Sequence, residues 1–347
     1  MAGEPTSLPF ASVAVPTRNE ERTIRACLEA LLAQDYARDR FEVIVLDGRS
    51  GDRTREIVEE VAAAADVPIR LLDNPRGSVP AALNRAIEAA EGEFLVRVDG
   101  HSMPEPAYLR TCVEGNLGLG AELVGGWVRA AGRGRFGTAV AAAFASPFSM
   151  GNPGSWNPPT APREVASVPC GSYRLDALRA IGGFDEEQLA NQDYEANYRL
   201  RRAGGRVMII PDVSFDYVPR ESAGKLARQF ARYGFYKARV MVKHPASVRP
   251  RHLVPAAGIL GLALLAVAAP FSAAARTLLL LAAAGYALVL VAGAVHAGRR
   301  AGSGAPLLPL VLLTMHVAWG AGNLAGLARW LPARRGIAAG ATALEAR

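Results

Sequence analysis

The sequence predicts an α/β domain on a mostly parallel sheet, followed by helices apolar enough to cross a membrane. Three observations carry this expectation. Short apolar runs alternate with helix-patterned segments through the first hundred residues. From Leu253 to Ala328 only Arg276, Arg299 and Arg300 are charged. Polar residues with chemistry to offer fall just beyond the apolar runs, where open α/β sheets bind ligands.

Ser12–Pro16 is an apolar run closed by a proline and reads as the first strand. Glu20–Ala33 follows, with Ile24, Leu28, Leu31 and Leu32 at helical spacing. Glu42–Leu46 predicts a second strand ending in Asp47, and Asp52–Ala65 a helix that Ser50 or Asp52 can cap. Ile69–Leu72 and Val79–Ala90 repeat the strand-helix unit. Phe94–Val98 gives a fourth strand, ending in Asp99. Further on, Ala196–Arg202 has helix-like composition. In Lys225–Lys243, Leu226, Phe230, Tyr233, Tyr236, Val240 and Met241 recur near helical spacing among basic residues, as in an interfacial amphipathic helix.

Composition narrows the function classes. Half of the 347 residues are apolar, which excludes a disordered chain. Cys27, Cys112 and Cys170 are too few and too scattered for a disulfide scaffold or a four-cysteine zinc site, and fit a reducing compartment. The net charge of +7 is unevenly placed. Residues 253–347 hold seven Arg and one acid, or +6, and residues 1–252 hold 32 bases against 31 acids, or +1. A neutral body is not that of a nucleic-acid binder.

Leu253–Ala275, Thr277–Gly298 and Pro306–Ala328 each suit ~30 Å of hydrocarbon. The third contains His316, Trp319 and Asn323 and reads as re-entrant or packed against its neighbours. Met1–Pro9 lacks the features of a signal peptide, so a cytoplasmic front portion anchored at the inner (plasma) membrane is expected. Lys237, Arg239, Lys243, Arg249 and Arg251 precede the first span, as the positive-inside rule requires. Arg334 and Arg335 would fall on the far side of a third crossing, leaving two and three crossings both open.

The strand-end residues are Thr17-Arg18-Asn19-Glu20, Asp47-Gly48-Arg49-Ser50 and Asp99-Gly100-His101. No glycine-rich turn follows the first strand, and no Walker loop is present. Gly132–Gly137 matches a dinucleotide fingerprint in form, but no acid follows before Glu164, and it reads as a loop coincidence. Asp99 and His101 offer an oxygen and a nitrogen to a divalent cation bridging a nucleotide diphosphate. Asp193, opening a helix, is the natural general base, with Glu195 the neighbour to test. Cys170-Gly171-Ser172-Tyr173 is placed on the acceptor side. Gln229 and Arg232, three apart, share a helical face that suits a diphosphate or lipid headgroups.

Together these residues resemble the inverting family-2 glycosyltransferases of GT-A fold, in particular the membrane-anchored enzymes of succinoglycan-type exopolysaccharide synthesis. The likeness runs from about Val13 to Tyr233. It implies nucleotide-sugar contacts from Pro16, Thr17, Asn19, Glu20, Asp47 and Asp99. It implies a cation, Mn²⁺ or Mg²⁺, at Asp99-Gly100-His101 in the place of a D-x-D motif. Gln192-Asp193 resembles the Glu-Asp motif whose Asp is the base, and Gln229-Phe230-Ala231-Arg232-Tyr233 resembles Q-x-x-R-W near the donor diphosphate and acceptor. Gly48, His101, Gln192 and Tyr233 depart from the family's usual residues.

The implied protein moves a sugar from a nucleotide-diphosphate donor to a polyprenyl-linked or glycan acceptor at the bilayer. Its plan is a catalytic domain over 1–220, an interfacial helix and linker over 221–252, spans over 253–330 and a basic tail over 331–347. Gly48, His101 and Gln192 would support one alternative, a catalytically inactive scaffold of the same fold. A transporter subunit is disfavoured, because the spans are few and almost free of ionisable residues.

Overall fold

The structure, a computed structural model, describes residues 8–150 and 154–334. The basic tail beyond Arg334 lies outside the described residues, as do residues 1–7. The chain divides into two compact units. Among the described residues, one comprises 8–127 with 158–215, and the other 128–150 and 154–157 with 216–334.

The strands are β1 (Ala11–Thr17), β2 (Phe41–Asp47), β3 (Ile69–Asp73), β4 (Phe94–Arg97), β5 (Leu123–Ala130), β6 (Arg163–Glu164), β7 (Ser172–Arg174) and β8 (Val207–Tyr217). The helices between them are α1 (Ile24–Leu32), α2 (Thr54–Ala64), α3 (Val79–Ala89), α4 (Tyr108–Leu119), α5 (Gly134–Phe144), α6 (Pro147–Met150), α7 (Leu175–Ala180) and α8 (Gln192–Arg202). After β8 come α9 (Ala223–Lys243), α10 (Pro250–Ala268), α11 (Ala273–Ala301) and α12 (Leu308–Trp330).

In the first unit the sheet order is β3-β2-β1-β4-β7-β5-β8-β6. The first four strands run parallel, as their alternation with helices requires, and Thr17 pairs with Asp47 at their carboxyl ends. β7 then pairs antiparallel with both β4 and β5. β1 and β2 are buried along their whole length, which is why they read as continuous apolar runs rather than alternating ones. Ile24, Cys27, Leu28 and Leu31 form the buried stripe of α1. Two apolar clusters fill the unit, one around Val13, Val43 and Val96, the other around Ile44, Leu95 and Phe184.

In the second unit α9 lies along α12. A Cβ on Gly322 would come 2.0 Å from the Ala231 carbonyl oxygen, and one on Gly326 would come 2.5 Å from that of Phe235. Only glycine lets the two backbones approach this closely. The Asn323 amide donates to the Gly234 carbonyl at 3.2 Å. His316 Nε2 donates to the Phe148 carbonyl at 2.7 Å, leaving Nδ1 to accept from the Tyr286 hydroxyl at 3.0 Å. The polar residues that set the third apolar stretch apart are therefore packed against neighbouring elements. The basic face of α9 is split: Lys225, Arg228 and Arg232 are exposed, whereas Lys237, Arg239 and Lys243 are buried.

Two stretches, Pro250–Ala268 and Ala273–Trp330, are long and apolar enough to cross a membrane, with mean hydropathy 1.7 and 2.5. The second is interrupted by a 3₁₀ turn at Gly302–Leu307. Phe271 is 88% exposed, and Leu264, Val267, Leu280, Leu288 and Val295 also present large apolar side chains outward.

Candidate active site

Parallel register brings three turns to the carboxyl edge of the sheet in the first unit. Asn19 and Arg49 both adopt left-handed backbone, at φ 56° and 59°, and Asn191 does so at 58° before α8. For Arg49 in particular this is a strained choice, of the kind found where a turn is held for a purpose. Hydrogen bonds sew the first two turns together: Ser50 Oγ accepts from Asn19 N at 2.8 Å, and Asn19 Oδ1 accepts from Gly51 N at 2.9 Å. Thr54 Oγ1 accepts from Glu20 N at 2.8 Å, so the start of α2 also fixes the β1 turn.

The third turn closes on the first. A Cβ at Gly100 would lie 2.9 Å from Thr17 Oγ1, a buried hydroxyl with no hydrogen-bond partner among the described residues. Beside it His101 Nδ1 is 3.3 Å from Glu20 Oε1. Asp99 Oδ1 accepts from Arg97 Nε at 2.9 Å.

Arg97 also reaches across to α8. Its Nη1 donates to Asp193 Oδ1 at 2.6 Å and to the Pro169 carbonyl at 3.3 Å. Gln192 Nε2 lies 3.5 Å from Asp193 Oδ2. Burial pushes the Asp193 carboxyl up to about 6, against the pull of the Arg97 guanidinium and with the Asp99 charge adding to the rise. Burial alone would lower the Arg97 guanidinium, but the Asp193 and Asp99 carboxylates hold it well above its usual range. A largely buried carboxylate with a raised pKa is a competent proton acceptor near neutral pH.

Some expected residues have other employment. The Asp47 side chain is fully buried; Oδ1 accepts from Ser50 Oγ at 2.6 Å and Oδ2 from Arg55 Nη1 at 3.0 Å. It holds its own turn, and meeting a ligand requires it to exchange one of these bonds. Pro16 is buried within β1 opposite Leu46, whereas Asn19 is exposed. Glu195 is locked by Arg199, whose Nε and Nη2 donate to its two oxygens at 2.9 and 2.8 Å; this pair ties α8 to the Ile181 and Gly183 carbonyls. It is a packing element, which leaves Asp193 as the carboxylate with chemistry to offer. Ser172 and Tyr173, expected on the acceptor side, lie buried in β7.

Gln229, Arg232 and Tyr233 belong to the second unit. Gln229 Nε2 donates to the hydroxyls of Tyr217 at 2.7 Å and Tyr233 at 2.9 Å, and Phe230 packs beside Tyr233. Arg232 is exposed.

Among the described residues no three His, Cys, Asp or Glu side chains are gathered to hold a metal ion. Asp99 Oδ2 and His101 Nε2 accept no hydrogen bond among the described residues, so these two donors fit a cation completed by oxygens of a ligand. Arg97, which joins Asp99 to Asp193, is the residue of this cluster that sequence patterning missed. Its signal was present: a lone charge inside the otherwise apolar strand Phe94-Leu95-Val96-Arg97-Val98.

The mostly parallel sheet flanked by helices has the GT-A fold. The chain belongs to glycosyl transferase family 2, whose signature matches residues 12–181. The succinoglycan biosynthesis protein ExoA of Rhizobium meliloti is 33% identical over 318 residues, which cover 89% of this chain and 92% of that protein. The dolichyl N-acetyl-alpha-D-glucosaminyl phosphate 3-beta-D-2,3-diacetamido-2,3-dideoxy-beta-D-glucuronosyltransferase of Methanococcus voltae is 27% identical over 243 residues, 67% of this chain and 74% of its own. The mannosyltransferase of Pyrobaculum calidifontis, solved with GDP-mannose and Mn²⁺, shares the fold at a TM-score of 0.61. It is 23% identical, with 92% of this chain and 88% of that one covered.

Proposed function

We propose that this chain is an inverting glycosyltransferase that moves a sugar from a nucleotide-diphosphate donor to a hydroxyl of a lipid-linked or glycan acceptor at a membrane. The observation that carries the reading is the pair Asp99 and Asp193, far apart in sequence and bound to one guanidinium at the carboxyl edge of the sheet. The turns of Thr17–Glu20 and Asp47–Ser50 are assigned to the nucleotide. Asp193 accepts the proton of the acceptor hydroxyl as its oxygen attacks the anomeric carbon. The bond from that carbon to the diphosphate breaks, and the diphosphate leaves from the opposite face. A single displacement needs no covalent intermediate and inverts the centre.

Asp99 and His101 would hold a divalent cation, which when bound supplies Lewis-acid stabilisation of the departing diphosphate. A mixed oxygen and imidazole set favours Mn²⁺ over Mg²⁺, which prefers oxygen alone and sheds its waters reluctantly. Gln229, Arg232 and Tyr233 are assigned to the diphosphate and acceptor. A lipid-linked acceptor is supported by the dolichyl phosphate named for the Methanococcus relative, and an exopolysaccharide role by the succinoglycan relative. The exposed apolar faces of α10 and α11 support membrane insertion, and the basic residues before Leu253 support a catalytic unit on the cytoplasmic side.

The test is to incubate the detergent-solubilised full chain with a panel of UDP- and GDP-sugars, Mn²⁺ and a polyprenyl-phosphate-linked sugar. Formation of a product whose new linkage has the opposite anomeric configuration to the donor is expected. Retained configuration, or no consumption of any donor, would contradict the reading.

A further inference from the structure

The geometry points to Arg97 as a positioning residue that fixes the acceptor-side carboxylate, Asp193, in register with the donor-side carboxylate, Asp99. This rests on the reading of the site given above. Arg97 ends a fully buried strand, and its side chain is only 8% exposed. A buried guanidinium is costly to desolvate unless it is fully paired, so its partners are chosen rather than incidental. Its backbone is clamped too, since Arg97 N donates to the Gly171 carbonyl at 3.0 Å and the Tyr108 hydroxyl donates to the Arg97 carbonyl at 3.2 Å.

The two carboxylates take different nitrogens of one rigid plane, Nε for Asp99 and Nη1 for Asp193. A planar fork with fixed nitrogen spacing sets the distance between its two partners; a lysine ammonium, a single point on a flexible stem, cannot. Because Arg97 holds Oδ1 of Asp193, Oδ2 is left to take a proton, with the Gln192 amide at 3.5 Å as its partner among the described residues. Arg97 itself touches neither donor nor acceptor in this scheme. Its contribution is alignment, and misplacing a reacting group by about 1 Å lowers turnover on the order of 100-fold.

The test uses the full chain in detergent, with the donor it consumes and, separately, UDP or GDP with Mn²⁺ as a binding probe in calorimetry. Arg97→Ala is expected to lower kcat on the order of 100-fold while the donor KM and the nucleotide–Mn²⁺ affinity stay near wild type. Millimolar guanidinium should restore part of the loss in Arg97→Ala and none in Asp193→Asn. Arg97→Lys keeps the charge and serves if Arg97→Ala fails to fold; it too is expected to bind nucleotide normally and turn over slowly. Wild-type kcat in either variant overturns the inference. So does a parallel loss of turnover and nucleotide binding without guanidinium rescue, which marks a structural arginine. If Asp193→Asn is inactive while the Arg97 variants are not, the inference fails and the reading of the site stands. If the wild-type chain neither binds nucleotide with Mn²⁺ nor consumes a donor, both fall together.

Discussion

Asp193 and Glu195 are two residues apart on one helix, and their surroundings give them different chemistry. Glu195 has both oxygens committed to Arg199 in a fully buried pair. Glu195→Gln strands that guanidinium, and a loss of roughly 3–5 kcal/mol in unfolding free energy is expected, read from denaturant titration. Asp193 keeps one oxygen lightly partnered, and burial raises its pKa to about 6. As a base it works only when deprotonated, so kcat/KM is expected to fall as pH drops through about 6 and to level off above it. A pH profile of donor consumption that is flat between pH 5 and 8 would remove Asp193 from the role of base.

At the scale of elements, the turns and the helix contacts carry the strain and the close approaches. Gly322 shows how strict these are, since any Cβ there meets the Ala231 carbonyl oxygen. Gly322→Ala is expected to destabilise the second unit by about 1–3 kcal/mol, as overpacking does. Gly258→Ala, on α10 with nothing within 4 Å of a Cβ, should not, when both are compared by thermal unfolding in detergent. The elements divide by how plainly sequence announced them. β1 to β4 and α1 to α3 were legible, because doubly buried strands are continuous apolar runs and the helices between them have apolar stripes. β5 and β7 were not. β5 contains Gly125 and Gly126, which patterning reads as a breaker. The structure needs them there, because a Cβ would meet the Cys170 and Val213 carbonyl oxygens at 2.3 and 2.2 Å. β7 is three residues long and carries no periodicity of its own.

Across the whole molecule, the same split separates what was readable from what was not. The strand-end acids and the start of α8 could be nominated from spacing. That Asp99 and Asp193 share a guanidinium depends on the sheet bringing β4 beside β7 and its following helices, which no local pattern records. The second unit has its own signature. Its described residues hold seventeen Lys and Arg against Asp216 and Glu221 alone, beside helices whose apolar faces point outward. Lys237, Arg239 and Lys243 among them are buried, and the exposed remainder suits the interface of an anionic bilayer. Asp193→Asn in the full chain, with donor consumption and nucleotide–Mn²⁺ binding measured on the same preparation, decides whether the carboxylate opening α8 is the base of a glycosyl transfer. Turnover should fall by about 100- to 10,000-fold while nucleotide binding persists; turnover equal to the wild type would contradict that role.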